Sequence, residues 1–266
     1  MTKSYRPTVA DLLALKGKRQ LSMLRVETLD EAAAAEAAGI EMVSVPPEML
    51  GPRFREIAPS VFAVPGLEYG GLVTTNDYLR AAFKAIKAGG DAVYCAASLS
   101  TIRRLKDEGI PVCGHVGLVP SKATWTGGFR AVGKTAESAM ETWRAVKALE
   151  EAGAFSAEIE VVPTEIASAI SRRTTLLMIS MGAGPGCDAQ YLFTDDVLGQ
   201  NRGHVPRHAK AYRNFAAEFD RLQAERIAAF REFKADVDSQ AYPEARHQVG
   251  VPESEVSKFI DAIERA

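Results

Sequence analysis

The feature that most constrains this chain is a hydrophobic period that switches repeatedly between about two and about 3.6 residues. Short apolar runs recur as "LSMLRV" (21–26), "EMVSV" (41–45), "SVFAVPG" (60–66), "DAVYCA" (91–96), "PVCGHVGL" (111–118), "SAEIEVV" (156–162), "TLLMISMG" (175–182) and "YLFT" (191–194). Between them lie amphipathic stretches such as "LDEAAAAEAAG" (29–39), "TNDYLRAAFKAIKAGG" (75–90), "SLSTIRRLKDEG" (98–109) and "KTAESAMETWRAVKALEEAG" (134–153). Several close on Gly, which tolerates the left-handed turn that ends a helix. Strands separated by helices must cross over and pair in parallel. About eight such units favour a closed (β/α)8 TIM barrel, with a doubly wound open sheet as the alternative.

After residue 207 the pattern changes. "RHAKAYRNFAAEFDRLQAERIAAFREFKADVDSQ" reads as one long charged helix, "AYPEARHQVGVPESE" as a Pro-containing loop, and a short last helix follows from about 253. The expected organisation is a single barrel domain over 1–266, with additional C-terminal helices forming an extension from about 207 to 266.

Charge narrows the partners. Lys plus Arg (32) nearly balances Asp plus Glu (34), which gives no broad field to recruit nucleic acid or an anionic membrane. A small-molecule substrate is the expectation. The start, "MTKSYRPTVADLL", lacks the apolar stretch of a signal peptide, and no run reaches the ~18 apolar residues of a membrane span, so a cytoplasmic enzyme is expected. Cys95, Cys113 and Cys187 are an odd, widely spaced set in or near apolar strand-like segments, and they read as buried reduced thiols. No "GxGxxG" follows the first strand, and "GAGPG" (182–186) lacks the Lys and Ser/Thr of a phosphate loop.

In a barrel the loops after the strands form the active face, so chemistry belongs at strand ends. His115 and Glu160 qualify. Alternation puts Cys113, His115 and Gly117 on one face of their strand, and Glu158 and Glu160 on one face of theirs. A carboxylate turned into an apolar barrel needs a partner or a task, and burial raises its proton affinity, which suits general acid–base work. Glu158, lower on the strand, can equally meet a lysine, and His115 can equally be a satisfied core histidine. "GHVPRHAK" (203–210), with His204, Arg207 and Lys210, is either a basic loop for an anionic substrate or a charged surface turn.

"PVCGHVGLVPSKATWTGGFRAVGKTAESA" resembles the "PVxGHxGLxPQ…GGyxvqG" pattern of the ketopantoate hydroxymethyltransferase family, in the phosphoenolpyruvate mutase/isocitrate lyase superfamily. Further similar stretches follow in the same order: "ALEEAGAFSAEIEVVPTEIASAI", "ISMGAGPGCDAQYLFTDDVLG", "GHVPRHAKAYRNF" and "AYPEARH". The resemblance implies carbon–carbon bond formation, in which a 2-oxo acid held on Mg²⁺ loses a proton and its enolate attacks a one-carbon unit carried by methylenetetrahydrofolate. It places the family's catalytic glutamate at Glu160 and its substrate-contacting histidine at His115. It also implies a homo-oligomer, a decamer built from pentameric rings.

The front half departs from the family. Where the family reads "VGDSLG" this chain has "VPPEMLG", with Pro47 and Glu48; where it reads "ADLPF" the chain has "PGLEY", with Gly66 and Glu68; and where it reads "VKIEGG" the chain has "VYCAAS", with Tyr94 and Ala96. All three metal-linked carboxylates of the pattern are absent, and Mg²⁺ needs oxygen ligands. The expectation is a site without a metal, in which Glu160 is the acid or base and Tyr94, with Arg25 or His115, steadies an oxyanion. Arg25 can supply the positive charge, or can instead face the helix layer. Arg25, Glu48, Glu68 and Ser180 are the substrate-binding candidates, and Trp125 and Phe129 of "WTGGF" either line a ligand or pack the loop. The alternatives are a metal site rebuilt on Glu48 or Glu68, and a catalytically silent paralogue that keeps the scaffold and its assembly.

Overall fold

The computed structural model describes residues 5–68 and 70–266. The first four residues of the N-terminal segment and Tyr69 of "PGLEY" lie outside them. The chain divides into two compact units, one running to Arg213 and the other spanning Asn214–Ala266.

The first unit is built on eight parallel strands: β1 (Leu21–Arg25), β2 (Met42–Val45), β3 (Phe62–Pro65), β4 (Val93–Tyr94), β5 (Val112–Gly117), β6 (Ser156–Glu160), β7 (Leu177–Met181) and β8 (Ala189–Phe193). They lie in the order β3-β2-β1-β8-β7-β6-β5-β4. The ends of that order meet at a bridge between Gly66 and Tyr94, reinforced by the Leu67 N–H donating to the Tyr94 carbonyl at 2.9 Å. The sheet thus curls into a nearly closed (β/α)8 barrel. Regular pairing in β4 is shorter than the apolar run around it, although the Cys95 N–H still donates to the Cys113 carbonyl.

Around the strands lie α1 (Val9–Ala14), α2 (Leu29–Ala38), α3 (Pro52–Ile57), α4 (Thr75–Lys87), α5 (Leu99–Asp107), α6 (Ala123–Thr126), α7 (Ala136–Glu151), α8 (Thr164–Ser171) and α9 (Thr194–Leu198). Thr28, Thr74 and Thr135 start α2, α4 and α7, each accepting the N–H three residues on. A cap of this kind contributes about 1 kcal/mol and fixes where the chain turns from strand end to helix.

Alternation along the strands makes two apolar layers. Leu21, Met23, Met42, Phe62, Val64, Cys113, Leu177 and Ile179 fill one cluster, inside the barrel. Val93, Val112, Val116, Ala157, Ile159 and Met178 point the other way and pack with helix residues such as Ile102 and Val146. Packing fills the barrel between its two ends, and a cluster of polar groups gathers at the C-terminal strand ends.

The second unit holds α10 (Phe215–Asp238) and α11 (Glu253–Glu264). The helix expected from residue 207 is corrected: residues 207–214 make turns, and α10 begins after Asn214, whose side-chain oxygen accepts the Ala217 N–H at 3.1 Å. The Tyr212 N–H donates to the Val197 carbonyl at 2.9 Å, which folds the preceding segment back beside α9. Among the described residues no helix is long and apolar enough to cross a membrane.

Candidate active site

Strand register assembles the mouth of the barrel. In the β5–β6 pair His115 stands opposite Glu158 and Gly117 opposite Glu160, while Tyr94 on β4 pairs with Cys113, one inward position below His115. On the far side Arg25 of β1 pairs with Ser44 of β2. Arg25, Ser44, Tyr94, His115, Glu158 and Glu160 line a cavity of about 620 Å³ together with Gly66, Phe129, Tyr191, Asp196 and His208.

His115 is the hub. Its Nδ1 lies 2.5 Å from the Tyr94 hydroxyl, its Nε2 3.0 Å from Glu160 Oε2 and 3.9 Å from Glu158 Oε1. The Tyr94 hydroxyl also reaches Glu158. A phenol has one proton for these two neighbours. When Glu158 takes that hydrogen bond, Nδ1 must donate to the phenol oxygen while Nε2–H donates to Glu160, which makes His115 an imidazolium between two carboxylates. Burial disfavours that charge, but Glu158 and Glu160 more than offset it, and the pKa of His115 rises. Burial, with the Glu160 charge added, raises the Glu158 carboxyl above its ordinary range against the pull of His115. Burial and then Glu158 hold the Tyr94 phenol protonated well above its ordinary value.

Both the His115 and Glu158 shifts mean that the folded chain binds protons more tightly than the unfolded one, so stability falls as pH rises. The His115 contribution, full below its unfolded value of about 6.5, is lost as pH rises through its higher folded value. The Glu158 carboxyl adds a penalty above its own unfolded value, where it is driven to ionise while buried. Melting temperature is expected to decline as pH rises above about 6.5, and a His115→Gln/Glu158→Gln double variant to flatten the slope.

Backbone geometry fixes Glu160. Val161 beside it has φ 49°, an uncommon conformation for a β-branched residue, and is held there by its N–H donating to the Met181 carbonyl at 2.8 Å. Gly117 has φ 85°, and a Cβ there would lie 2.4 Å from the Glu160 carbonyl oxygen. Strand β5 can close on β6 at this level only without a side chain. Gly117→Ala is therefore expected to destabilise by about 2–5 kcal/mol, from left-handed strain and overpacking together, measured by denaturant unfolding.

Arg25 faces the barrel axis rather than the helix layer. Nε and Nη2 donate to the Glu27 carboxylate at 2.5 and 3.3 Å, and Nη1 donates to Ser44 Oγ at 3.3 Å. A guanidinium carries five N–H donors, so these bonds leave two for a ligand.

Three expected substrate contacts are not brought to this cavity. Ser180 lies between inward-facing Ile179 and Met181, and its hydroxyl donates to the Gly184 carbonyl at 3.0 Å, bracing the β7–β8 loop. Glu48 lies on the short turn Pro47–Met49 after β2, and the Glu68 carboxylate folds over Gly71. Both acids line an adjoining cavity of about 880 Å³, which shares Arg25, Gly66 and Leu67 with the first. Trp125 is 90% exposed, whereas Phe129 lines the site. A third cavity, of about 670 Å³, opens at the N-terminal strand ends, where Lys16 is tied to Asp188 at 2.6 Å.

Sequence reasoning leaves the partner of Glu158 open and does not single out Tyr191 or His208. Glu158 joins the cluster through its register with β5 and meets Tyr94 and His115, not a lysine. Tyr191 follows from alternation with Phe193 along β8, a signal that was there to read. His208 sits in a loop without period, and it enters the cavity in place of its neighbours His204, Arg207 and Lys210.

Comparison with known proteins sets this site in a family. The family model for ketopantoate hydroxymethyltransferase matches residues 57–245. The chain belongs to the ketopantoate hydroxymethyltransferase family. A 3-methyl-2-oxobutanoate hydroxymethyltransferase from Kosmotoga olearia is 32% identical over 88% of this chain and 94% of its own length. One from Cenarchaeum symbiosum is 38% identical over 64% of this chain and 63% of its own length. Among solved structures, a putative phosphonomutase from Burkholderia cenocepacia shares the fold at TM-score 0.55 and 14% identity, covering 85% of this chain and 98% of that one. So does 2,3-dimethylmalate lyase, a PEP mutase/isocitrate lyase superfamily member, at TM-score 0.51 and 13% identity, over 97% and 96%.

Within this ketopantoate hydroxymethyltransferase family member, the corner where the resemblance puts Mg²⁺ does not fit that ion. Pro47, Gly66 and Ala96 offer no side-chain oxygen. A Cβ at Gly66 would lie 3.5 Å from Arg25 Nη1, so the space that a ligating carboxylate would enter is bordered by the guanidinium of the Arg25–Glu27 ion pair. Elsewhere His115, Glu158 and Glu160 each offer a donor atom within 4.8 Å of the others. One imidazole with two carboxylates suits a borderline transition ion better than hard Mg²⁺, and this imidazole is already hydrogen-bonded through both nitrogens.

Proposed function

We propose that this chain makes or breaks a carbon–carbon bond next to the carbonyl of a 2-oxo acid without a metal ion, as a cytoplasmic enzyme with Glu160 as its acid–base group. The observation that carries the reading is the Arg25 guanidinium beside Gly66, held by Glu27 and Ser44 with two N–H groups to spare in the corner where the family would use Mg²⁺. A 2-oxo acid brings a carboxylate and a carbonyl oxygen that becomes negative when the adjacent carbon loses its proton. The two spare N–H groups of Arg25 suit that pair. Glu160, with one oxygen held by His115, takes the proton, and Tyr94 keeps His115 in orientation.

The chain is further taken to assemble as a homo-oligomer, as the family resemblance implies. Considered alone, the second unit exposes Phe230 at 72% and Phe259 at 62%, apolar surface that an assembly would cover.

Exchange of the C3 hydrogen of 3-methyl-2-oxobutanoate in deuterated buffer tests the reading, with chelator-stripped protein, with added Mg²⁺, and with added Zn²⁺ or Mn²⁺. Exchange that persists after stripping supports it. Exchange that requires Mg²⁺, or a transition ion at the His115–Glu158–Glu160 trio, overturns the metal-free mechanism. No exchange under any condition favours a silent or ligand-binding paralogue.

A further inference from the structure

Making or breaking a carbon–carbon bond beside a carbonyl moves two protons. One leaves or joins the carbon that becomes the enolate, and the other leaves or joins the oxygen of the departing fragment. Glu160 can serve only one of these positions at a time. His115 is bound through both ring nitrogens to Tyr94 and Glu160, and so it is not free for the second.

His208 is the remaining imidazole in the cavity among the described residues. It enters from the loop after α9, half-buried, and packs where Gly182 leaves room: a Cβ at Gly182, φ 67°, would lie 2.7 Å from His208 Nδ1. Three charged groups bear on it: Glu160 from β6, Asp196 from α9 and its own neighbour Arg207. Burial outweighs the two carboxylates, and Arg207 works against them, so the pKa of His208 falls while that of His115 rises. Two imidazoles lining one cavity, one bonded to Glu160 and one not, with opposite shifts in proton affinity, are an arrangement suited to dividing acid from base.

We propose that His208 is the second acid–base residue of this site, exchanging the proton on the oxygen of the small aldehyde fragment while Glu160 serves the carbon. The inference rests on the reaction proposed above. In the cleavage direction the imidazole takes the proton of a hydroxyl one carbon beyond the carbon next to the carbonyl. The oxygen's electron pair forms the aldehyde double bond, the carbon–carbon bond breaks, and its pair enters the enolate facing Arg25. The Glu160 carboxyl then returns a proton to that carbon. His208 ends with one proton more and Glu160 with one fewer, solvent resets both, and no oxidant or reductant is consumed.

The test compares wild type, His208→Gln and His208→Ala in two assays: C3 hydrogen exchange of 3-methyl-2-oxobutanoate, and formaldehyde release from ketopantoate. In His208→Gln, release is expected to fall about 10²-fold, and the ratio of exchange to release to rise at least about tenfold. Added imidazole is expected to restore part of the release in His208→Ala and none in His208→Gln, a rescue that a merely structural role would not give. Melting temperatures within a few degrees of wild type exclude misfolding as the cause. An unchanged ratio, or release unaffected in both variants, overturns the role of His208 alone. Absence of exchange in wild type overturns the underlying reaction and takes this proposal with it.

Discussion

Glu160→Gln is expected to slow C3 hydrogen exchange of 3-methyl-2-oxobutanoate by about 10³–10⁴-fold, with little change in melting temperature. The amide matches the carboxylate in shape, and its oxygen can still accept from His115 Nε2, so the network that binds β5 to β6 survives. What disappears is the basic oxygen. A carbon acid beside a carbonyl gives up its proton slowly to water, and a positioned base within hydrogen-bond reach accounts for most of the acceleration that a site without a metal can offer. Glu160→Asp separates distance from chemistry: the base remains but retreats by one methylene from His115 and from the substrate, and an intermediate loss is expected. Exchange that survives Glu160→Gln would move the base elsewhere in the cavity, to Glu158 or His208, and would end the role assigned here to the β6 carboxylate.

The barrel and half of this site were legible in the sequence because both follow from periodicity. Two-residue alternation is enough to send His115 and Glu160 to the barrel face of their strands, and the repeated change of period is enough to call for crossover connections. Glu158 lay on the correct face, but its partners depend on the register between β5 and β6, which one sequence does not carry. Ser180 was misplaced because strands of a parallel barrel are buried on both faces: Met178 and Ser180 look as internal as Ile179 and Met181 until helices and axis are distinguished. Glu48 and Glu68 lie past the ends of their strands, where alternation no longer governs direction and local turns decide it. The loop 203–210 reads as a candidate ligand loop, but nothing in it distinguishes His208 from His204, Arg207 and Lys210, since which of them enters depends on the path of the loop and on the absence of a side chain at Gly182.

Arg25→Met is expected to lower kcat/KM for exchange by about 10³-fold, toward the upper end of what removing one transition-state donor achieves. Methionine keeps much of the stem that packs at the strand end while deleting the guanidinium, so the loss reports charge and hydrogen bonding rather than a cavity. If Arg25 served only to grip the substrate carboxylate, KM would rise and kcat would hold. If it also faces the oxygen that becomes the enolate, kcat must fall as well, because that charge exists only on the way to the intermediate. The geometry argues for both, since the N–H groups not used by Glu27 and Ser44 are two, enough for one carboxylate oxygen and one carbonyl oxygen. Arg25→Lys keeps the charge and loses the fork, so a smaller fall concentrated in KM is expected. Millimolar Mg²⁺ should not rescue Arg25→Met, because clearing the guanidinium leaves Pro47, Gly66 and Ala96 around the vacated space and none of them supplies an oxygen ligand. Rescue by Mg²⁺ in that variant would mean that Glu48 or Glu68 can swing in to bind the ion, and that the guanidinium displaces a metal site instead of replacing one.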